Sequence, residues 1–196
     1  MMWPSPTRHT GSAWRLAWPD GCTAFDVDRA SVLDVKVSAL EAAGATARCR
    51  YVPVAADLAE RWSGSLLTAG FDPTMPSAWL AEGLLFYLPD ELVRDVLHTV
   101  TRLAAIDSRL GFDIPNSVAL SSPYTKPWLE MQAAAGAPWL GTMDDPAAEV
   151  GAMGWRVAVM QPGEGDTGHG RYTVPVPPPG AVDLPHSWYV TAVRAR

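Results

Sequence analysis

Apolar residues along this chain follow two periodicities, and the two alternate. Cys22–Asp28 (CTAFDVD) is a short apolar run closing on acids, as a strand does where it meets a polar loop. Ser31–Ala43 carries Val32, Leu33, Val37 and Leu40 on one helical stripe. Its Ser31 to Asp34 spacing suggests a cap, and Gly44 ends it. Arg50–Ala56 (RYVPVAA) predicts a second strand despite Pro53, and Leu58–Ala69 a modest helix closed by Gly70. Ala78–Leu88 (AWLAEGLLFYL) is nearly continuous apolar, which predicts a strand buried on both faces. Pro89–Ala105 is the strongest helix: proline first, Asp90 and Glu91 in the first turn, and a stripe of Leu92, Val93, Val96, Leu97, Val100 and Leu103. Arg109–Ile114 predicts another strand.

Strand and helix thus alternate at the lengths of βαβ units, which implies an α/β fold with a mostly parallel sheet. After Pro115 the rhythm changes. Ser122–Ala135 and Pro146–Met153 predict helices, and Trp155–Met160 and Trp188–Arg194 predict two late strands. Those two, joined by a Gly- and Pro-rich stretch, suit an antiparallel edge. Residues 1–13 show no periodicity and form an irregular lead-in, leaving 14–196 as a single domain.

Composition narrows the partners. With 48% hydrophobic and 18% charged residues the chain is globular, and its net charge of −6 comes with no basic run. Nucleic acid and anionic membrane both require clustered Lys and Arg, so a small-molecule partner is expected. No apolar run reaches membrane-spanning length and no signal-peptide core is present at the start, so a cytoplasmic location is expected. Cys22 and Cys49 lie far apart in sequence and form no CxxC unit, so buried free thiols are expected rather than a disulfide. The four histidines have no metal-ligand spacing, and no metal site is expected.

In open parallel sheets, ligands bind beyond the carboxyl ends of the strands. Acids stand there in this chain: Asp26 and Asp28, then Asp57, then Asp113. A lone acid at a strand end is more often a helix cap than a ligand, so none of these is decisive alone. Glu82, inside AWLAEGLLFYL, is sharper, because a carboxylate buried there needs a cationic partner. Lys36 sits on the apolar stripe of its helix, where a snorkelling side chain is the favoured reading.

WRLAWPDG, FDVDRASVLDVK, PVAADL and AWLAEGLLFYLP, in this order and spacing, resemble the leucine carboxyl methyltransferase-like group, most of all its bacterial S-adenosylmethionine-dependent members. HGRY and the terminal YVTAVRAR are similar to how those members end, and the resemblance runs from about Ala13 to the C-terminus. It implies a class I, Rossmann-like methyltransferase fold with S-adenosyl-L-methionine as cofactor. By the same resemblance, Asp28 holds the ribose hydroxyls, Asp57 with the Leu58 backbone reads the adenine edge, and Glu82 faces the ammonium of the cofactor's methionine part. Arg15 and Lys36 fall where the group carries an arginine and a lysine. Ahead of this point the group has a first strand, a GAGxDTR loop and a helical cap over the substrate. The corresponding stretch here, SPTRHTGSAWRL, has a single glycine, Gly11, and neither the strand nor the cap.

The expected reaction is methyl transfer to a carboxylate or hydroxyl of a small molecule. A carboxylate acceptor needs no base; a hydroxyl needs one, for which Tyr87 and Asp113 are weak candidates. The alternative is a truncated, inactive relative acting as an interaction module. A dehydrogenase-type nucleotide binder is disfavoured because GxGxxG is absent.

Overall fold

The structure, a computed structural model, describes residues 12–165, 167, 171 and 175–196. The irregular stretch expected over residues 1–13 falls mostly outside them, as do parts of HGRY. The chain forms two compact units, Met1–Asp72 and Pro73–Arg196.

In the first unit a short helix, α1 (Ser12–Arg15), precedes β1 (Thr23–Asp28), α2 (Ala30–Ala42), β2 (Arg50–Ala55) and α3 (Trp62–Thr68). β1 and β2 pair in parallel, from Thr23 opposite Arg50 to Asp28 opposite Ala55. This is a βαβ unit: two parallel strands joined by a crossover helix. Pro53 is accommodated opposite Asp26 because β2 has β1 as its strand partner in a two-stranded sheet, leaving an outer edge where no donor is needed. Leu33, Val54, Trp62 and Leu66 form the buried apolar core of this unit, with Ala13.

Two local expectations fail here. α2 is capped by Arg29 with no side-chain cap bond, not by Ser31: the amides of Val32 and Leu33 both bond the Arg29 carbonyl, so the cap falls two residues early. α3 begins only at Trp62, because Asp57 folds the intervening residues into a turn, described below. The helix stops are as expected. Gly44 takes φ +64° beyond α2, where Ala45 N–H reaches back to the Leu40 carbonyl, the left-handed ending that glycine permits.

The second unit contains β3 (Ala78–Ala81), a single 3-10 turn (Leu85–Tyr87), α4 (Asp90–Leu103), β4 (Arg109–Pro115), α5 (Ser117–Ser121), α6 (Lys126–Ala134), α7 (Pro146–Ala152), β5 (Trp155–Met160) and β6 (Ser187–Arg194). Its sheet has the order β3-β4-β6-β5. β3 and β4 are parallel, while β6 runs antiparallel to both β4 and β5. The late strands therefore make the antiparallel edge that their loop-rich connection predicts. Of the predicted stripe, α4 buries Val93, Val96, Leu97, Val100 and Leu103, with Leu92 half-buried at its start and His98 exposed. The helix expected over Ser122–Ala135 is α6, which starts only at Lys126 because Ser122 and Thr125 take up local backbone bonds after α5, a short helix the sequence reading did not predict.

The largest correction concerns AWLAEGLLFYL. Only Ala78–Ala81 is strand, and its residues alternate between exposed and half-buried; the remainder turns at Glu82–Gly83 and closes into the 3-10 turn. The apolar continuity came from two elements read as one. Leu85 and Phe86 fill the core from the turn, and Leu80 is 61% exposed.

The fold is thus α/β, with parallel pairs and an antiparallel edge. Among the described residues the strands form two sheets rather than one. No described strand precedes Thr23, so the central first strand that the family resemblance implies has no counterpart among these residues. No described helix is long and apolar enough to cross a membrane.

Candidate functional site

The acids singled out by the sequence stand where parallel strands end. In the first unit Asp28 is the last residue of β1. One of its carboxylate oxygens accepts from the neighbouring Arg29 N–H at 2.7 Å, and its other oxygen has no partner among the described residues. Asp57 follows β2. Its Oδ1 accepts from Ala59 N–H at 2.9 Å, a side-chain-closed turn that fixes the backbone around half-buried Leu58. The Leu58 amide itself is engaged in no described backbone bond.

Asp26 is on the same face of β1 as Asp28 but is spent. Lys36, 7% exposed, sets its Nζ 2.6 Å from Asp26 Oδ2, and Tyr51 OH donates to the same oxygen at 2.8 Å. Lys36 is therefore a buried ion-pair partner rather than a snorkelling side chain. Its ammonium also lies 5.7 Å from the Trp14 ring centroid, at a cation–π distance. Burial, followed by the bond to the Asp26 carboxylate, pushes the Tyr51 phenol far above its ordinary range. The network joins α2, β1 and β2 just behind Asp28. Sequence reading missed it because its members are separated by up to 25 positions; the one signal was a lysine on an apolar stripe.

In the second unit Glu82 sits directly after β3 and is exposed, so the burial argument made for it from sequence does not hold. Its carboxylate has no cationic partner among the described residues. Asp113, near the end of the adjacent parallel β4, accepts the Gly83 N–H at 2.6 Å and so ties down the turn that carries Glu82. Gly83 takes φ +64°, a conformation that costs a side-chain-bearing residue energy. Burial raises the Asp113 carboxyl above its ordinary range, the Gly83 N–H opposes that rise, and the nearby Glu82 charge adds to it. Tyr87 belongs to an aromatic run: its ring lies 4.6 Å from Phe86, Phe86 lies 4.1 Å from Trp139, and Trp139 lies 4.4 Å from Trp128.

The structure therefore leaves unspent acceptor capacity on Asp28 and Glu82. It commits Asp26 to an ion pair and gives Asp113 a partner in the Gly83 turn. Carboxylates of this kind fit hydroxyl or ammonium donors of a ligand. The described residues contain no group of three or more His, Cys, Asp or Glu able to hold a metal.

Residues 11–101 match the leucine carboxyl methyltransferase family, a span that includes Asp28, Asp57, Leu58 and Glu82. A protein of Frankia alni, provisionally named an S-adenosyl-L-methionine-dependent methyltransferase, is 35% identical over 186 residues, covering 93% of this chain and 62% of the relative. One from Mycolicibacterium smegmatis with the same provisional name is 47% identical over 104 residues, covering 53% of this chain and 33% of the relative. The chain thus spans less than two thirds of the length of these relatives.

Among solved structures, a DUF574 family protein from Streptomyces avermitilis superposes with a TM-score of 0.62 at 18% identity, covering 88% of this chain and 65% of that one. Geranyl diphosphate methyltransferase, solved with S-adenosylmethionine, gives a TM-score of 0.55 at 11% identity, covering 89% of this chain and 70% of that one. At these identities the likeness is one of fold: the Rossmann-like fold of class I methyltransferases. With the family pattern over residues 11–101 and the Frankia relative aligned over 93% of this chain, the chain is similar to the leucine carboxyl methyltransferase family across that span.

Proposed function

We propose that this chain carries cofactor-binding residues of an S-adenosyl-L-methionine-dependent O-methyltransferase that acts on a small molecule. The observation that carries the reading is positional. Within the family-matched span, Asp28, the Asp57–Leu58 turn and Glu82 each stand at the carboxyl end of a parallel strand, where this class of fold binds its ligands. Asp28 accepts from ribose hydroxyls with the oxygen it does not spend on Arg29. The Leu58 amide, held by the Asp57 turn, faces the adenine edge. Glu82, presented by the turn that Asp113 holds, offsets the ammonium of the cofactor's methionine part.

The cofactor, when bound, supplies an electrophilic methyl group. The chain's contribution is to bind and align, which is where most of the rate of such a displacement arises. Asp113 supports the Glu82 turn by accepting from Gly83 N–H with one oxygen. A carboxylate acceptor needs no base, whereas a hydroxyl acceptor would draw on Asp113 or Tyr87.

The test is incubation with methyl-labelled cofactor and a panel of small carboxylic acids, phenols, amines and thiols. A base-labile methyl ester supports the carboxylate reading, and a stable ether points to a hydroxyl. Label on nitrogen or sulfur overturns O-transfer. Cofactor binding without any transfer identifies the alternative, an inactive relative.

A further inference from the structure

We propose that Cys22 and Cys49 form a dithiol site that exchanges with low-molecular-weight anionic disulfides, oxidising to an intramolecular disulfide. The two residues are far apart in sequence, but the parallel register brings them together. β1 and β2 begin pairing at Thr23 opposite Arg50, and the cysteines are the residues immediately before that pair. Neighbouring strands lie about 4.8 Å apart, within the roughly 4.4–6.8 Å that separates the Cα atoms of bridged cysteines. Both side chains line the same concavity at that end of the strand pair, which places the two thiols on one surface.

The surroundings suit the chemistry. Both cysteines are free and half-buried, and both line one concavity together with Arg48, Arg50 and Asp20. Two guanidinium groups beside a pair of reachable thiols favour a disulfide bearing carboxylates, of which oxidised glutathione is the simplest probe.

The exchange balances without any other reactant. One cysteine, as thiolate, attacks a sulfur of the small disulfide; an S–S bond forms to the protein and the first small thiol leaves with a proton. The second cysteine attacks the protein sulfur of that mixed disulfide, forming the Cys22–Cys49 bond and releasing the second small thiol. The protein loses two electrons and two protons, and the small disulfide gains both. The site lies at the opening ends of β1 and β2. Six residues at about 3.3 Å each separate it from the ends that carry Asp28 and Asp57, so closure stiffens the strand pair without reaching those acids.

The experiment treats the folded chain with oxidised glutathione and follows intact mass and disulfide-linked peptides. The expected product has lost the mass of two hydrogens, carries a Cys22–Cys49 peptide and keeps no glutathione. It should form at least about tenfold faster than in the chain unfolded in urea, because the fold supplies the proximity. Cys22→Ser and Cys49→Ser should each stop at one retained glutathione. Two retained glutathiones on the parent chain, thiols that do not react, or a rate no faster than in urea would each overturn the proposal.

Discussion

Asp26 and Lys36, ten positions apart, meet at 2.6 Å between a strand and the helix that follows it, with Tyr51 closing on the same carboxylate oxygen from the next strand. This contact divides the labour between two acids on one face of β1. Asp26 holds the βαβ unit together, and Asp28, at the strand end, keeps one carboxylate oxygen without a partner among the described residues.

The division is testable by comparing two conservative changes. Asp26→Asn strips the charge that Lys36 was buried against and should destabilise the first unit by about 2–3 kcal/mol, below the full cost of a wholly buried pair because Asp26 is 26% exposed. Asp28→Asn should leave the urea midpoint nearly unchanged and weaken binding of S-adenosylhomocysteine. The reverse assignment, with Asp28→Asn unfolding the chain and Asp26→Asn abolishing binding, would show that the ligand end of β1 is misplaced.

Glu82 should matter for binding and little for folding. It is exposed, so its contact with a cofactor ammonium is worth about 1 kcal/mol, or roughly fivefold in affinity. Calorimetric titration of Glu82→Ala should show that loss for S-adenosylhomocysteine and none for adenosine, which lacks the ammonium. An equal loss for both ligands would remove Glu82 from this role.

Asp113 gives a pH dependence with a definite sign. Its carboxyl is raised in the folded state by burial, so between the ordinary carboxylate value of about 3.9 and the raised value the folded chain binds more protons than the unfolded one. Its contribution to stability therefore falls as pH rises through that window. Asp113→Asn keeps an oxygen acceptor for Gly83 N–H but cannot ionise. Urea melts across the window should show parent stability falling relative to Asp113→Asn as pH increases. A difference that runs the other way would contradict the assignment.

Asn116 is a fourth point of leverage. Buried at the end of β4, it accepts from the backbone of Ala119 and His186 and donates to the Leu184 carbonyl, at 2.9–3.0 Å. The His186 ring next to it stacks on Trp188 at 4.6 Å and meets Gln161 and the Ala181 carbonyl. Asn116→Ala removes a helix cap and orphans buried backbone groups, and should cost about 2–4 kcal/mol. Chemical denaturation would register this; a cost under about 0.5 kcal/mol would mean these bonds are readily replaced by water.

What the sequence revealed follows from which signals are local. The α4 stripe, the acids closing β1 and the glycines ending α2 and α3 are all set by neighbours in sequence, and each is found where expected. AWLAEGLLFYL misled because an apolar run fixes neither element type nor burial: Leu85 and Phe86 fill the core from a turn, while the strand before them is exposed or half-buried. The Lys36–Asp26–Tyr51 network, the Asp113–Gly83 bond and the concavity shared by Cys22 and Cys49 depend on how the strands pair and pack, which spacing alone does not encode. The family resemblance supplied the roles of Asp28, Asp57, Leu58 and Glu82, and the structure adds which acids remain free to perform them.

The central claim, that strand-end residues of this chain take up an S-adenosyl cofactor, is tested most directly by titrating the isotope-labelled chain with S-adenosylhomocysteine and following backbone amides by NMR, which registers even millimolar affinity. The account predicts saturable shifts at Asp28 and Arg29, at Leu58 and Ala59, and at Glu82 and Gly83, with Thr23 and Arg50 at the opposite strand ends unmoved. Shifts confined to the opposite ends, or none at any of these amides at millimolar ligand, would contradict it.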